Sequence, residues 1–195
     1  ALNWSREVYC WGDNRYGQTN VPTSLGTVTQ VTAGSSFSCA VNSSGTVSCW
    51  GTDSLGSTKV PSGLGNVIQI TTGSSHTCAL NDVGKVSCWG GFSPNTGLVP
   101  DDLARVTQIS AGYDHTCALD NQGVVTCWGE NYNNFRYIYV PSGLGNVTQI
   151  SAGRYATCAI NDRSEATCWG AHRAPAGLGE MAQITVGGEN VCGVD

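Results

Sequence analysis

The 195-residue sequence is short of charge. Asp, Glu, Lys and Arg make up 12% of it, about half the share of an average soluble domain. Nine basic and 14 acidic residues leave a net charge of −5, and no run of Lys or Arg occurs. The electrostatic footprint of a nucleic-acid-binding protein is therefore missing. No apolar stretch approaches the ~18 residues that span a bilayer as a helix, so no membrane insertion is expected. His76, His115 and His172 are the only histidines. Phosphate-loop and dinucleotide fingerprints are absent, and no local motif suggests a Ser-His-Asp set. The expectation is a protein that is not an enzyme, with no cofactor and no metal.

What is abundant is glycine, cysteine and repetition. Cys10-Trp11-Gly12, Cys49-Trp50-Gly51, Cys88-Trp89-Gly90, Cys127-Trp128-Gly129 and Cys168-Trp169-Gly170 recur at spacings of 39, 39, 39 and 41 residues. A fixed period in this range marks one supersecondary unit stacked on itself. A unit of 39 residues buries no full core alone, so residues 1–195 are expected to form a single domain. The 26 glycines, with many Ser, Thr and Asn, predict short strands joined by turns.

Within one repeat, Val67–Ile70, His76–Leu80 and Lys85–Trp89 read as three strands. The last two are joined by a hairpin in which Gly84 accepts positive φ. Gly45 and Gly123 hold the same place, while Ser164 holds it in the fourth hairpin, which is predicted to be strained or differently turned. This register sets Cys78 opposite Cys88, within reach of a disulfide. The same offset pairs Cys39 with Cys49, Cys117 with Cys127 and Cys158 with Cys168.

Cys10 and Cys192 remain. Glu7–Gly12 looks like a third strand and Val186–Cys192 like a second one. Joining them closes a ring through one shared blade, with a Cys10–Cys192 bridge, and removes exposed sheet edges. A rival scheme pairs 10–39, 49–78, 88–117, 127–158 and 168–192 and also uses every cysteine. Zinc competes for paired cysteines, but the spacings match no CxxC pattern. Ten cysteines at repeat positions favour an oxidising compartment. A start at Ala1 without Met is what signal-peptide removal leaves, and the expected location is secreted, extracellular. Asn3, Asn42 and Asn146 open sequons that would make it a glycoprotein in a eukaryote.

The pattern Val-x-Gln-Ile-x-x-Gly-x-x-His-x-Cys-Ala-Leu, followed by Gly-x-Val-x-Cys-Trp-Gly, resembles the RCC1-like repeat (regulator of chromosome condensation). The run Trp11–Pro22 is similar to the short-blade secreted bacterial branch, which includes an inhibitor of β-lactamases. The resemblance implies an all-β fold, here a five-bladed β-propeller, although members of the family commonly carry seven blades. It also implies that aromatic residues on one face engage a partner.

Positions that recur read as scaffold. Gln30, Gln69, Gln108, Gln149 and Gln183 share one strand place, and a repeated hydrogen bond around the ring is expected of them. The tryptophans after the cysteines read as blade-packing groups, and Trp4 as a cover for the closing joint. Function is expected where repeats differ, on turns held by the ring. Candidate ligand-binding residues are Tyr16, His76, Tyr113, Asp114, His115, Arg154 and Tyr155. Tyr132, Phe135 and Arg136 join them from the ten-residue segment that carries the two extra residues of the 41-residue repeat. Tyr, Arg and Asn are favoured at recognition surfaces. The polar and aromatic mixture predicts a lectin-like, carbohydrate-binding protein. The alternatives are an inhibitor that binds a secreted hydrolase and a structural matrix protein. The expected partner is thus a carbohydrate or a secreted protein.

Overall fold

The computed structural model describes residues 1–91, 98–130, 136–171, 173–175 and 180–195. Among the described residues fourteen strands follow one another. They are β1 Val28–Ala33, β2 Phe37–Asn42, β3 Val47–Gly51, β4 Val67–Thr72, β5 His76–Asn81, β6 Val86–Gly90, β7 Val106–Ala111, β8 His115–Asp120, β9 Val125–Gly129, β10 Val147–Ala152, β11 Ala156–Asn161, β12 Ala166–Gly170, β13 Gln183–Val186 and β14 Val191–Val194. Each consecutive trio forms an antiparallel blade, and β13 with β14 forms a two-stranded fifth. The fold is an all-β, five-bladed propeller. The turns after β1, β4, β7, β10 and β13 line a common channel, with Gly34, Gly73, Gly112, Gly153 and Gly187 at its wall.

The middle strand of each three-stranded blade is buried almost end to end; every residue of β5 is. That is why it reads as a continuous run and not as an alternation. The outer strand is buried only in part: Val86 and Trp89 are buried, and Ser87 and Cys88 between them are half-buried. Between blades the apolar side chains interlock: Phe37, Cys39, Val41 and Val47 of the first blade meet Val67, Ile70 and Trp89 of the second. The next junctions repeat this with Trp128 and Trp169.

The glutamine ring is real for four of its links. Gln30 Oε1 accepts from Ile70 N, Gln69 Oε1 from Ile109 N, Gln108 Oε1 from Ile150 N and Gln149 Oε1 from Ile184 N. A bulge one residue before each of the first four glutamines shifts the register of β1, β4, β7 and β10. Such a bulge re-aims the side chain that follows it, here toward the next blade.

Cys39–Cys49, Cys78–Cys88, Cys117–Cys127 and Cys158–Cys168 are bonded, each across directly opposed strand positions. The hairpin scheme therefore holds and the rival scheme does not. Ser164 adopts φ 61°, the same left-handed turn as Gly45, Gly84 and Gly123, so this turn is strained but not different. Replacing Cys117 and Cys127 together by Ser is expected to lower stability by about 2–3 kcal/mol, since the bridge closes a loop of roughly a dozen residues. Urea unfolding of the double variant checks this, and an unchanged midpoint would show that the bridge constrains nothing.

Three expectations are corrected at the chain ends. Cys10 and Cys192 are both free, so the closing bridge is not formed. The reason is local: Leu2 bridges Val8, and β14 pairs with β13 alone. Trp4 covers nothing and is fully exposed at the tip of the N-terminal hairpin. Trp11 is 77% exposed, whereas Trp50, Trp89, Trp128 and Trp169 are 5–8% exposed. The buried four each lie against apolar side chains of the element before them; Trp11 has no such neighbour among the core clusters.

Candidate functional site

The connecting loops before Trp50, Trp89 and Trp169 are tied down by a backbone device. Trp50 Nε1 donates to the carbonyl of Gln18, Trp89 Nε1 to that of Ser57 and Trp169 Nε1 to that of Tyr137, each 32 residues earlier. The same carbonyls accept from Ser38, Thr77 and Thr157 on the middle strands. Residue types at the accepting position differ, because only the carbonyl is used. Sequence comparison between repeats gives no sign of them.

Two of these loops, those of Gln18 and Ser57, border a groove of about 250 Å³. Ser35, Ser36, Thr52, Ser54, Ser57, Ser74 and Ser75 line it, with Tyr16 and Tyr113 among its walls and Phe37 below. No charged side chain lines it among the described residues. Ser75 Oγ is buried in the lining and has no protein partner. Tyr16 and Tyr113 are 55% and 38% exposed, so both rings are open to a ligand. Ser35, Ser74 and Tyr113 also border the mouth of the central channel, which makes groove and channel one continuous face. The serines and threonine were not singled out from the sequence, since hydroxyl residues are common throughout it.

At the channel mouth Arg154 lies between two rings. Its guanidinium carbon is 5.0 Å from the centre of Tyr113 and 4.9 Å from that of Tyr155. Cation–π contact on both sides holds the arginine in place. Asp114 is buried and accepts a hydrogen bond of 3.0 Å from Ser74 Oγ on the neighbouring blade. Burial pushes its carboxyl above the ordinary carboxylate range, and the Ser74 bond opposes that shift. Asp114 is thus a link between blades behind the surface.

His76 and His115 are corrected as ligand contacts, because both are wholly buried. His76 Nε2 shares a 2.9 Å hydrogen bond with Thr116 Oγ1, and His115 Nε2 one of 2.9 Å with Thr157 Oγ1. Each therefore ties one blade to the next. Their Nδ1 atoms have no partner. Burial lowers the pKa of His76 to about 4 and that of His115 to about 3, with the nearby His76 adding to the second shift. Both imidazoles are neutral at pH 7 and serve as core groups. Phe37 occupies the equivalent strand position in the first blade, which fits that role.

Arg136 is exposed, has φ 57° and stands 5.9 Å from the ring centre of Tyr139. It does not line the groove or the channel mouth. Tyr132 and Phe135 lie outside the described residues. The structure thus gathers Tyr16, Tyr113, Arg154 and Tyr155 on one face, sets Asp114, His76 and His115 beneath it and leaves Arg136 apart.

The regulator of chromosome condensation (RCC1) repeat matches residues 28–57, 67–93 and 106–134, three successive repeats. No curated protein sequence matches the chain. Among solved structures, the entire ectodomain of the receptor kinase CR4 from Physcomitrella patens is 28% identical, with a TM-score of 0.78 over 97% of this chain and 53% of that one. The CRINKLY WD40 ectodomain of the Arabidopsis thaliana receptor kinase ACR4 is 27% identical, with a TM-score of 0.75 over 97% of this chain and 68% of that one. The chain thus spans about half the length of the Physcomitrella ectodomain. Prp20p of Saccharomyces cerevisiae shares the fold, with a TM-score of 0.79 at 18% identity over 99% of this chain and 66% of that one. The protein is thus a five-bladed β-propeller, three of whose consecutive blades match the RCC1 repeat.

Proposed function

We propose that the protein is a non-catalytic recognition domain, working outside the cell, that binds a carbohydrate on the face around Tyr113. The observation that carries this reading is the groove. Between two half-open tyrosine rings it is lined by Ser35, Ser36, Thr52 and Ser54, with Ser57, Ser74 and Ser75 buried behind them, and by no charged side chain among the described residues. A sugar needs hydrogen-bond partners for its hydroxyls and a flat apolar surface for the face of its ring, and this groove offers both. Beneath this face His76 and His115 are buried and neutral. Four disulfides and likeness to receptor ectodomains support an extracellular setting.

A protein ligand is the second reading. Arg154 clamped by Tyr113 and Tyr155 supports it, since Tyr and Arg are the residues that most often anchor protein interfaces. So does the receptor-ectodomain likeness. A glycan array separates the two. Carbohydrate recognition predicts retention on a defined glycan and release by the free sugar. Tyr113→Ala is expected to weaken that binding about tenfold, the equivalent of 1.4 kcal/mol and in line with ring stacking of about 0.5–1.5 kcal/mol. A silent array would sink the carbohydrate reading and leave the protein ligand standing.

A further inference from the structure

Among the described residues that line the groove and the channel mouth, Arg154 is the only charged one. We propose that Arg154 receives a carboxylate, and that the ligand of this face is an acidic carbohydrate, a sugar ring bearing one carboxylate. The inference rests on the carbohydrate reading and adds the charge of the ligand to it.

The first observation is the state of the arginine. Arg154 is exposed and makes no ion pair among the described residues, whereas Arg15 is paired with Asp13 and Lys59 with Asp53. The adjoining carboxyl, Asp114, is buried and accepts from Ser74 Oγ at 3.0 Å. Arg154 influences that carboxyl less than burial, Ser74 or Glu130 does. An unpaired arginine in water is ordinarily mobile, because its long side chain has many rotamers. This one is held. Its guanidinium carbon lies 5.0 Å from the ring centre of Tyr113 and 4.9 Å from that of Tyr155, and its backbone N donates to Gly187 O at 3.1 Å. A guanidinium stacked on a ring keeps its N–H donors available, since they lie in its plane. A carboxylate fits that fork with two parallel hydrogen bonds. Holding the side chain beforehand reduces the entropy lost on binding.

The second observation is position. Tyr113 borders both the groove and the channel mouth, so a sugar ring lying against it has the guanidinium beside the same aromatic ring. Other donors at the mouth are already used: the amides of Gly34, Gly73, Gly112 and Gly153 donate to the carbonyls of Phe37, His76, His115 and Ala156. A phosphate group, favoured by several amides or cations together, finds a single fork here. One fork in a chain of net charge −5 balances one negative charge, while the chain as a whole repels a polyanion. Ser35, Thr52 and their neighbours thus meet the hydroxyls of the sugar, Tyr113 meets its ring face and Arg154 meets its carboxylate.

The test is an array of neutral, uronic-acid and sialic-acid glycans, with each acid present also as its methyl ester. One class of acid is expected to bind about tenfold more tightly than its ester, the usual order for a hydrogen-bonded charge, and that class identifies the source of the carboxylate. Raising the ionic strength should weaken the acid form and narrow its lead over the ester. In Arg154→Met, which keeps an unbranched side chain between the rings, acid and ester are expected to bind alike. Neutral glycans or esters bound as tightly as the acids would overturn this inference and leave the carbohydrate reading standing. Binding to no glycan would overturn both. A preference for the acid that persists in Arg154→Met would overturn the assignment to Arg154, and a preference indifferent to salt in the unaltered protein would do so without any variant.

Discussion

Moving from pH 7 to pH 4.5 is expected to lower folding stability by about 5 kcal/mol through His76 and His115 alone. In the unfolded chain each imidazole takes up a proton as the pH falls through about 6.5. In the fold, burial holds the two near 4 and 3, so neither accepts a proton readily at pH 4.5. The unfolded state then binds more protons than the native state, and stability falls with falling pH. Each pH unit below 6.5 contributes about 1.4 kcal/mol per imidazole until its folded pKa is reached. Above pH 6.5 the two histidines add no slope. Urea midpoints at pH 7 and 4.5 measure the effect. The double variant His76→Phe/His115→Phe follows the precedent of Phe37 in the first blade and is expected to lose most of this slope. An equally steep pH dependence in that variant would assign the loss to other groups.

These histidines also show where the sequence is a good guide and where it is not. Their recurrence one blade apart marked them as equivalent, and so did the recurrence of the glutamines. For Gln69 the repeated position correctly announced a repeated bond. His76 and His115 were placed on the ligand face because they follow the variable turn residues. Both instead stand at the first residue of a middle strand, β5 or β8, which is buried on both faces. The register of the four hairpins was legible because a three-residue loop and a period of two leave one arrangement for Cys78 and Cys88. The hydroxyl groove was not legible. It is assembled from Ser35 and Ser54 of one repeat and Ser74 of the next, and the Ser57 carbonyl that ties down the Ser54 loop carries no side-chain signature. The closing bridge failed for a related reason. Counting cysteines pairs Cys10 with Cys192, whereas the hydrogen bonds of Asn3 and Glu7 show that the N-terminal hairpin already fills the neighbouring strand position.

Trp89→Ala is expected to remove about 3–5 kcal/mol, the usual range for a buried tryptophan lost from a core. For a domain of this size the midpoint of thermal unfolding should fall by about 10 °C. The indole fills the junction between the first and second blades beside Cys39, Val41 and Ile70, and nothing nearby replaces its volume. Trp89→Phe keeps most of the packing and removes the Nε1 bond to Ser57. Its expected cost is about 1 kcal/mol, because the Ser57 carbonyl still accepts from Thr77 Oγ1. Trp11→Ala is expected to change stability by less than about 0.5 kcal/mol, since its ring is in water. Three substitutions in one repeated motif thus separate packing, hydrogen bonding and exposure. The loop tied by Trp89 brings Thr52, Ser54 and Ser57 to the groove, so Trp89→Phe should also weaken glycan binding severalfold while circular dichroism stays unchanged. Binding that survives Trp89→Phe at full strength would mean that Thr77 alone fixes the loop. An equal loss of stability in Trp11→Ala and Trp89→Ala would contradict the packing of the junctions.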